Sequence, residues 1–317
     1  MGAPEAKSPA DQRESIMCLV GPTACGKTGL VMRLAAGLPL EVISLDSRQI
    51  FQGLRIGTAQ PTAAEKAVCP HHLVDFVPVD HQYDAAIFRR DFQRVYTGIR
   101  DRGNIPVLVG GAGFYLKALT EGFMPLPPVQ GGDLEDIRAK VNALPPESLR
   151  ARLADVDPRA ADRIHPHDLY RQRRALEIFL LTGRCMTEHM NQWKPEPCLD
   201  LDFRLVVLDR AVDELDQRIR TRLQDMLRNG WMEETEQALE LSGPEAPGLQ
   251  SIGYPEIIRH LQGRVSRPKL EEAIFRRTRQ YAKRQRTWFR RLSAVLAGHP
   301  EDAVFQQQVL DLFHCPK

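Results

Sequence analysis

The sequence predicts an α/β protein in which a P-loop-type parallel sheet, flanked by helices, forms the core and an all-helical domain is inserted into it. Short apolar runs alternate with amphipathic helical patterns between residues 16 and 121. A glycine-rich turn joins the first apolar run to the first helix. Strand patterns then disappear between residues 122 and 199 and return from residue 200. The core is therefore expected to combine two separate parts of the chain.

The first part of the core alternates predicted strands with predicted helices. Asp84 has a side chain suited to cap the second helix, and Gly103 ends it. Buried strands that alternate with helices favour a parallel sheet. In order, the elements are the strand 16–20, the helix 28–38, the strand 41–46, the helix between Asp84 and Gly103 with Phe88, Phe92, Val95 and Ile99 on its apolar face, and the strand 105–109.

The inserted region opens with the proline-rich and glycine-rich link MPLPPVQGG and closes with WKPEPC. The core then resumes with the apolar run FRLVVLD and a helix over 212–229 that Gly230 ends. From Leu270 onward the sequence predicts a long basic helix and a short tail. The predicted division is a disordered leader at 1–15, a catalytic core at 16–121 and 200–317, and an inserted helical domain at 122–199.

Composition excludes several classes of protein. Of the 317 residues, 43% are hydrophobic and 26% are charged, which is close to the globular average. The net charge is only +2, so any affinity for nucleic acid must come from local basic patches. The 6 cysteines form no C-x-x-C pair, and no stretch approaches the roughly 20 apolar residues that span a bilayer. We expect a cytoplasmic protein with no membrane contact.

The segment GPTACGKT, at residues 21–28, matches the phosphate-binding pattern G-x-x-x-x-G-K-[ST]. It follows an apolar run and opens a helix, which is the context that this motif requires. Gly21 and Gly26 allow backbone N–H groups to turn towards an anion, and the helix N-terminus adds partial positive charge. Lys27 is expected to reach the terminal phosphate, and Thr28 to ligate Mg²⁺. The motif leaves open whether the anion belongs to a nucleotide.

The rest of the predicted core lacks the second acidic residue that a phosphate-loop ATPase or kinase needs. The strand 105–109 runs into glycines and carries no acid. The best-placed carboxylate is Asp46, at the carboxyl end of the strand EVISL, where open α/β sheets bind their ligands. Asp46 is therefore the candidate for chemistry. The alternative is that Asp46 only caps the turn that follows the strand.

A strongly basic helix is predicted near the end of the chain. Between Arg276 and Arg291, eight of sixteen positions are Lys or Arg and none is acidic. A solvated helix face normally carries both signs, so the imbalance favours a phosphate-binding surface. A smaller cluster at Arg171, Arg173 and Arg174 is equally consistent with an ordinary surface helix. The opposite, apolar stripe of the basic helix comprises Phe275, Thr278, Ala282, Phe289 and Leu292.

Eight segments, spread in order across nearly the whole chain, share one pattern: GPTACGKT (21–28), DSRQIF (46–51), GTAQPT (57–62), HHLVD (71–75), VGGAGFYLKAL (109–119), IHPHDLYRQRRALE (164–177), IGYPE (252–256) and YAKRQRTWFRR (281–291). Together they resemble the tRNA dimethylallyltransferases of the bacterial type, also called tRNA isopentenyltransferases. The resemblance implies a magnesium-dependent transfer of the dimethylallyl group from dimethylallyl diphosphate to N6 of adenosine 37, next to the anticodon. The phosphate loop would then hold a prenyl diphosphate, which agrees with the missing second acid.

The resemblance also assigns roles to residues near the loop. Asp46 would be the general base that takes the N6 proton, and Lys27 and a Mg²⁺ ion on Thr28 would stabilise the departing diphosphate. Arg218 is expected to close over the diphosphate, with Arg222 as a second diphosphate contact or as the alternative. The loop residues expected to hold the diphosphate are Gly21, Pro22, Thr23, Ala24, Cys25, Gly26, Lys27 and Thr28.

Contacts with the tRNA anticodon stem-loop are implied for segments far apart in the sequence, including the inserted domain. The target nucleotide is expected to flip out into a polar channel. Ala112 stands where the family usually has Thr, so one hydroxyl is absent. The protein is expected to be a monomer. The implied contacts are Asp46, Ser47, Arg48, Gln49, Ala112, Arg138, Tyr170, Arg171, Gln172, Arg173, Arg174, Gln250, Ser251, Ile252, Gly253, Tyr254, Pro255, Lys283, Arg284, Gln285, Arg286, Thr287, Trp288, Phe289 and Arg290.

Two other functions compete with prenyl transfer. A small-molecule or nucleoside kinase would use the same loop for ATP, and Asp46 would deprotonate an acceptor hydroxyl. A non-catalytic RNA-binding module would carry the loop without using it. The kinase predicts tight ATP binding and ADP release, whereas the binding module predicts that Lys27→Ala leaves function unchanged.

Overall fold

A computed structural model describes residues 13–124 and 131–314 of the chain. The strands are β1 (Glu14–Val20), β2 (Leu40–Leu45), β3 (His71–His72), β4 (Ile105–Gly110), β5 (Leu201–Leu208) and β6 (Leu296–Gly298). The helices are α1 (Lys27–Ala35), α2 (Ala63–Val68), α3 (Ala85–Asp101), α4 (Gly113–Thr120), α5 (Gly131–Asn142), α6 (Pro146–Val156), α7 (Pro158–Arg163), α8 (Leu169–Thr182), α9 (Met186–Gln192), α10 (Val212–Arg228), α11 (Trp231–Ser242), α12 (Tyr254–Leu261), α13 (Arg267–Phe289) and α14 (Ala303–His314).

The chain divides into two compact units. Among the described residues, one unit comprises 13–120 and 197–314, and the other comprises 121–124 and 131–196. The first unit contains every described strand, in a six-stranded parallel sheet flanked by helices, and the second contains α5 to α9. The predicted fold class is therefore confirmed. In the described ranges 13–124 and 131–314, no helix has both the length and the apolar character needed to cross a bilayer.

The sheet has the strand order β3-β2-β4-β1-β5-β6, and all its pairs are parallel. Its register aligns the carboxyl ends of three central strands, because Gly110 pairs with Leu45 on one side and with Val20 on the other. Whatever follows these residues must emerge at the same edge of the sheet. The phosphate-loop motif, Asp46 and the glycine turn after β4 are brought together in this way.

Both faces of the sheet are covered by apolar helices. On one side, α3 buries Phe88, Phe92 and Ile99, as the sequence predicts, and the Asp84 carboxylate accepts hydrogen bonds from the first turn of the helix. On the other side, α1 buries Leu30 among strand residues. Two buried phenylalanines and a stripe of aliphatic residues exclude water from the sheet, so the loops at its edge have a rigid base.

Several predicted boundaries need correction. The strand β1 begins at Glu14 and not at residue 16, so the predicted leader is wrong for residues 14 and 15, while residues 1–12 lie outside the described residues. Glu14 is polar, yet it pairs in the sheet and accepts hydrogen bonds from Tyr96 and Arg100 of α3. The tail after the basic helix is also more regular than predicted, since β6 extends the sheet and α14 buries Phe305.

The inserted unit has its own apolar core. Leu153, Ala160 and Ala175 come together from three of its helices. Asp157 caps α7 and also accepts hydrogen bonds from the backbone and hydroxyl of Thr187, which fastens the start of α9 to this core. These contacts make the unit a packed helical domain and not a loose connection.

A buried carboxylate fixes the start of β2, the strand that leads to Asp46. Glu41 accepts hydrogen bonds from Arg102 at 2.7 Å, from Asn104 at 2.5 Å and from His72 at 2.5 Å. The bond from Arg102 is the main cause that lowers the pKa of Glu41 from 4.5 to about 2, although burial acts in the opposite direction.

Because folding lowers this pKa, Glu41 stabilises the fold above its unfolded pKa of 4.5, and that stabilisation disappears as the pH falls to about 2. Because Arg102 is half exposed, solvent screens its charge, and only part of the pKa shift should appear as stability. We therefore expect Glu41→Gln to lower the free energy of unfolding by about 2 kcal/mol at neutral pH. Urea unfolding of both proteins across this pH range measures the difference, which should shrink towards the acid end. A difference that stayed constant with pH would show that the lost charge is not responsible.

Candidate active site

The phosphate-loop motif forms a turn between β1 and α1. Gly26 has φ 102° and Ala24 has φ 63°, so the backbone passes twice through the left-handed region. A side chain at Gly21 would place its Cβ 2.5 Å from the carbonyl oxygen of Leu208, so this position also requires glycine. The turn forms one wall of a cavity of about 790 Å³. Its backbone N–H groups and the start of α1 provide the positive end that an anion needs.

Lys27 lies across this turn. Its ammonium group donates hydrogen bonds to the carbonyl oxygens of Gly21 at 3.0 Å and Pro22 at 2.9 Å, and it lines the cavity. Thr28 is exposed and lines the cavity as well. Cys25 is buried in the apolar core, so this position contributes backbone rather than a reactive side chain. Lys27 and Thr28 therefore both face the space that a ligand would occupy.

Asp46 holds the turn that follows β2 and also faces a cavity, so its chemical role stays a prediction. Its Oδ1 accepts hydrogen bonds from the backbone N–H groups of Arg48 at 2.7 Å and Gln49 at 3.3 Å, so the carboxylate does hold the turn. It also lines the cavity that the phosphate loop borders. No donor in residues 13–124 or 131–314 is hydrogen-bonded to Oδ2. One carboxylate oxygen is therefore used structurally, and the other is free to accept a proton.

A second cavity, of about 340 Å³, also borders Asp46. It contains segments that are far apart in the sequence, including Ser47 and Arg48 of the DSRQ turn, residues 250–252, and Arg284 of α13. The two cavities share one set of lining residues, which is Thr23, Ala24, Asp46, Thr58, Arg222 and Tyr281. Asp46 therefore stands where two separate approaches meet.

Helix α10 directs a polar face at the phosphate loop. Leu215, Ile219 and Leu223 are buried on its apolar side, and Arg218 and Arg222, four residues apart, line the cavity. The Arg218 guanidinium donates a hydrogen bond to the carbonyl of Ala24 at 2.8 Å. Burial lowers the pKa of Arg222, and the nearby charge of Asp46 opposes this effect. Both arginines are placed for an anion, so the choice between them stays a prediction.

Arg210, which the sequence analysis did not identify, supports the loop from behind. Its buried guanidinium donates to the carbonyl oxygen of Cys25 at 2.7 Å, and Glu214, His299 and Glu301 surround it. The two carboxylates and the imidazole could otherwise hold a metal ion. Here the guanidinium already supplies the positive charge between them, so this cluster positions the loop. No local sequence pattern connects these residues.

Gln285 requires a correction. It was assigned a tRNA contact, but its side chain is buried and joins two loops of the site. Its Oε1 accepts a hydrogen bond from the Thr23 N–H at 2.8 Å, and its Nε2 donates to the Gly111 carbonyl at 2.9 Å. Gln285 thus fastens α13 to the phosphate loop and to the turn after β4.

Other predicted tRNA contacts are also buried. Tyr254 donates its hydroxyl hydrogen to Glu234, and Gln172 donates to the carbonyl oxygens of His165 and Pro166. Side chains this buried expose almost no surface for a direct RNA contact in this conformation, and they hold the segments around them. Ser251 and Gln285, although buried, still line the two cavities. The buried residues of the predicted set are Gln172, Ser251, Gly253, Tyr254, Gln285 and Phe289, and the exposed ones are Arg48, Arg138, Tyr170, Arg171, Gln250, Lys283, Arg284, Thr287, Trp288 and Arg290.

The basic face of α13 is less positive than its sequence indicates. Acidic residues from other elements neutralise half of the eight basic positions, and Arg286 is mostly buried against Asp209. Lys283 and Arg284 are exposed, and no carboxylate of the described chain lies within ion-pair distance of them. These two are the clearest positions for a phosphate contact. The pairs are Arg277 with Glu256, Arg279 with Asp216 at 2.8 Å, Arg286 with Asp209 at 2.9 Å, and Arg290 with Asp209 at 3.4 Å.

Glu234 of α11 holds the wall of the second cavity. Its carboxylate accepts hydrogen bonds from the N–H groups of Ile56 at 2.7 Å and Gly57 at 3.0 Å, and from the Tyr254 hydroxyl at 2.7 Å. This fixes the turn that carries Thr58 to the helices α11 and α12. The segment GTAQPT marked this turn in the sequence, but nothing in it pointed to Glu234.

The chain was compared with known proteins. A family model described as IPP transferase matches residues 49–292. The chain belongs to the IPP transferase family. A tRNA dimethylallyltransferase of Synechococcus sp. (strain JA-3-3Ab) is 40% identical to it over 284 residues, which are 89% of this chain and 81% of the relative. A tRNA dimethylallyltransferase of Halorhodospira halophila is 39% identical over 278 residues, 87% of this chain and 89% of the relative.

Solved structures agree with this membership of the IPP transferase family. The full-length tRNA isopentenylpyrophosphate transferase of Bacillus halodurans superposes with a TM-score of 0.68 at 32% identity, covering 95% of this chain and 96% of that one. A eukaryotic dimethylallyltransferase acting on tRNA gives a TM-score of 0.73 at 29% identity, covering 87% and 70%. The resemblance carried by the separate sequence segments is therefore confirmed, and it extends over nearly the whole fold.

Proposed function

We propose that this protein transfers the dimethylallyl group from dimethylallyl diphosphate to N6 of adenosine 37 in tRNA, which gives N6-dimethylallyladenosine. The observation that carries the proposal is the meeting of two cavities at Asp46. One contains a phosphate-binding loop, and the other opens towards exposed basic residues of α13. A reaction between a diphosphate ester and a nucleic acid needs two such approaches with a proton acceptor between them.

The first cavity suits the departing diphosphate. Breaking the allylic C–O bond leaves negative charge on the diphosphate, and the loop N–H groups, Lys27 and Arg218 stabilise that charge. The cavity also offers the hard oxygen donors that Mg²⁺ prefers, with the Thr28 hydroxyl beside the loop. A bound Mg²⁺ would neutralise part of the diphosphate charge. The residues present therefore fit a magnesium diphosphate.

Asp46 suits the acceptor side of the reaction. The N6 amine is a weak nucleophile because its lone pair is delocalised into the purine ring. As the N–C bond forms and the C–O bond breaks, the N6 proton passes to Oδ2 of Asp46 and diphosphate leaves. The two backbone hydrogen bonds to Oδ1 hold the carboxylate in place for this transfer. Such a positioned base typically accelerates a reaction by about 10² to 10⁴.

The RNA would approach from the side of α13. Lys283 and Arg284 offer exposed positive charge, and Arg48 stands at the DSRQ turn beside the second cavity. An adenine inside a folded anticodon loop cannot reach a carboxylate at the base of a cavity, so the nucleotide must be flipped out. The cost of flipping is a few kcal/mol, which phosphate contacts along α13 help to offset.

The proposal is tested by incubating the protein with dimethylallyl diphosphate, Mg²⁺ and unmodified tRNA. Mass analysis of the digested tRNA should show a five-carbon adduct on the adenosine that follows the anticodon. When ATP is supplied in place of dimethylallyl diphosphate, no ADP should form with any small alcohol tested. ATP hydrolysis with phosphorylation of an acceptor, and no adduct, would identify a kinase. Tight tRNA binding with neither product would identify a binding module.

Charge reversal tests the RNA surface. The double variant Lys283→Glu, Arg284→Glu should bind tRNA more weakly. The negative slope of the logarithm of the association constant against log salt should become less steep by about 2, because two phosphate contacts are lost. Filter binding at several salt concentrations measures both quantities. Arg286 is left unchanged, since its ion pair with Asp209 makes a substitution there structural.

Lys269→Glu is the matched control for this surface. Lys269 is exposed on the same helix, fourteen residues before Lys283, or about 21 Å along the axis. It should change the affinity and the salt slope much less than Lys283→Glu does. Equal effects at the two ends of α13 would indicate a general electrostatic attraction and would exclude a specific contact at residues 283 and 284.

A further inference from the structure

Tyr281 occupies a position that the phosphate loop and Asp46 do not explain. It lies on α13 and lines both cavities of the site. Of the six lining residues that the two cavities share, Tyr281 is the one with an aromatic ring. A side chain that borders both cavities lies near the place where the C–O bond of the donor must break and the C–N bond to the acceptor must form. In the proposed transfer, the ring therefore borders the region where the prenyl carbon passes from donor to acceptor.

This inference rests on the proposed prenyl transfer and on the charge that such a transfer creates. As the allylic C–O bond lengthens, positive charge spreads over the prenyl carbons before the N6–C bond is complete. Arg222 is another of the six residues that line both cavities, and its positive charge would oppose a developing cation. The face of an aromatic ring attracts a cation through its quadrupole, without offering a lone pair that would trap it.

The segment of α13 that carries the ring is fixed to the core. Ala282, next to Tyr281, is buried, and Gln285, one helical turn further, is fixed by hydrogen bonds to the Thr23 N–H and the Gly111 carbonyl. The Arg284 guanidinium lies 5.8 Å from the ring centroid, so the ring already takes part in one contact with a cation. A fixed π surface needs little reorganisation when charge develops next to it.

The phenol hydroxyl is expected to remain protonated. Burial raises the pKa of Tyr281, and the charge of Asp46 raises it further, while the charges of Arg48 and Arg284 act in the opposite direction. A neutral phenol is a much weaker nucleophile than a phenolate. The side chain can therefore stand next to an alkylating carbon without being alkylated itself.

We propose that Tyr281 is a further catalytic residue of this enzyme, and that the face of its ring stabilises the allylic cation character on the prenyl group as diphosphate leaves and N6 attacks. The ring takes part in no covalent step. The C–O bond still breaks to release diphosphate, the C–N bond still forms, and the proton still passes to Asp46. The ring acts only on the charge between these events.

The test compares side chains of similar size with and without a π face. Tyr281→Phe should keep the single-turnover rate of prenyl transfer within about 3-fold of the wild-type rate, whereas Tyr281→Leu should lose about 10-fold to 30-fold. Both variants should bind tRNA and inorganic diphosphate as the wild type does, because the proposed interaction exists only in the transition state. Equal losses in the Phe and Leu variants would assign the effect to the hydroxyl and overturn the proposal.

A fluorinated series makes the test independent of packing. Phenylalanine carrying one, two or three ring fluorines at position 281 keeps the shape but progressively weakens the negative potential of the ring face. The logarithm of the transfer rate should fall stepwise with each fluorine. Equal rates across the series would overturn the role of the ring. Failure of the wild type to form any five-carbon adduct would instead overturn the proposed prenyl transfer, so the two failures are distinguishable.

Discussion

Replacing Asp46 by asparagine should reduce the rate of prenyl transfer by about 10² to 10⁴ while leaving tRNA binding nearly unchanged. The substitution is informative because the asparagine Oδ1 can still accept the hydrogen bonds that the N–H groups of Arg48 and Gln49 now donate to the aspartate. The turn is kept, and only the basic oxygen is lost. Single-turnover transfer at saturating tRNA and dimethylallyl diphosphate measures the chemical step, and filter binding measures the affinity for tRNA.

Asp225→Asn is the matched control for this prediction. Asp225 lines the same cavity but not the second one, so it does not stand between the two approaches. Its asparagine variant should retain a transfer rate far above that of Asp46→Asn. A near-normal rate in the Asp46 variant would remove this residue from its role as base. Asp46→Ala, which also loses the turn contacts, should additionally lower the affinity for tRNA.

The central elements of the site could be predicted from the sequence because the determinants are local. The phosphate loop depends on glycines at fixed spacing between a strand and a helix. Gly26 indeed has a left-handed conformation, and Gly21 has no room for a side chain. Asp46 could be found because it directly follows a buried strand. Parallel strands end at one edge of a sheet, and the register of Leu45 and Val20 with Gly110 makes that general rule specific here.

The supporting contacts could not be predicted because their partners are distant in sequence. Gln285 and Thr23 are separated by 262 positions, and helical periodicity shows which face of α13 is buried but not what lies against it. The same holds for Arg286, whose partner Asp209 follows a strand 77 positions earlier. A charge count along one helix therefore overstated its positive surface. Only the packing of α13 against the core reveals which cations remain free.

Lys27→Met should reduce prenyl transfer by about 10² to 10³, because it removes a positive group beside the departing diphosphate and preserves the length of the side chain. The variant loses the hydrogen bonds from Lys27 to the carbonyl oxygens of Gly21 and Pro22. The loop should nevertheless remain folded, since Gly21 and Gly26 and the contacts that Arg210 and Gln285 make with Cys25 and Thr23 are kept. Transfer rates and diphosphate binding measure the effect of the lost charge, and thermal unfolding shows whether the protein remains folded. Lys66→Met is the control, because Lys66 lines a separate neighbouring cavity of about 560 Å³ and neither of the two cavities that meet at Asp46; it should leave transfer close to the wild-type rate.

The division of this loss between kcat and KM decides what Lys27 does. In dimethylallyl diphosphate the oxygen bonded to carbon is nearly neutral, and it gains charge only as the C–O bond breaks. A cation placed for the leaving group must therefore act more strongly in the transition state than in the bound ester, and kcat should fall much more than KM rises. A higher KM with an unchanged kcat would mean that Lys27 holds the diphosphate equally in both states. Lys27 would then bind the substrate without assisting the departure of diphosphate.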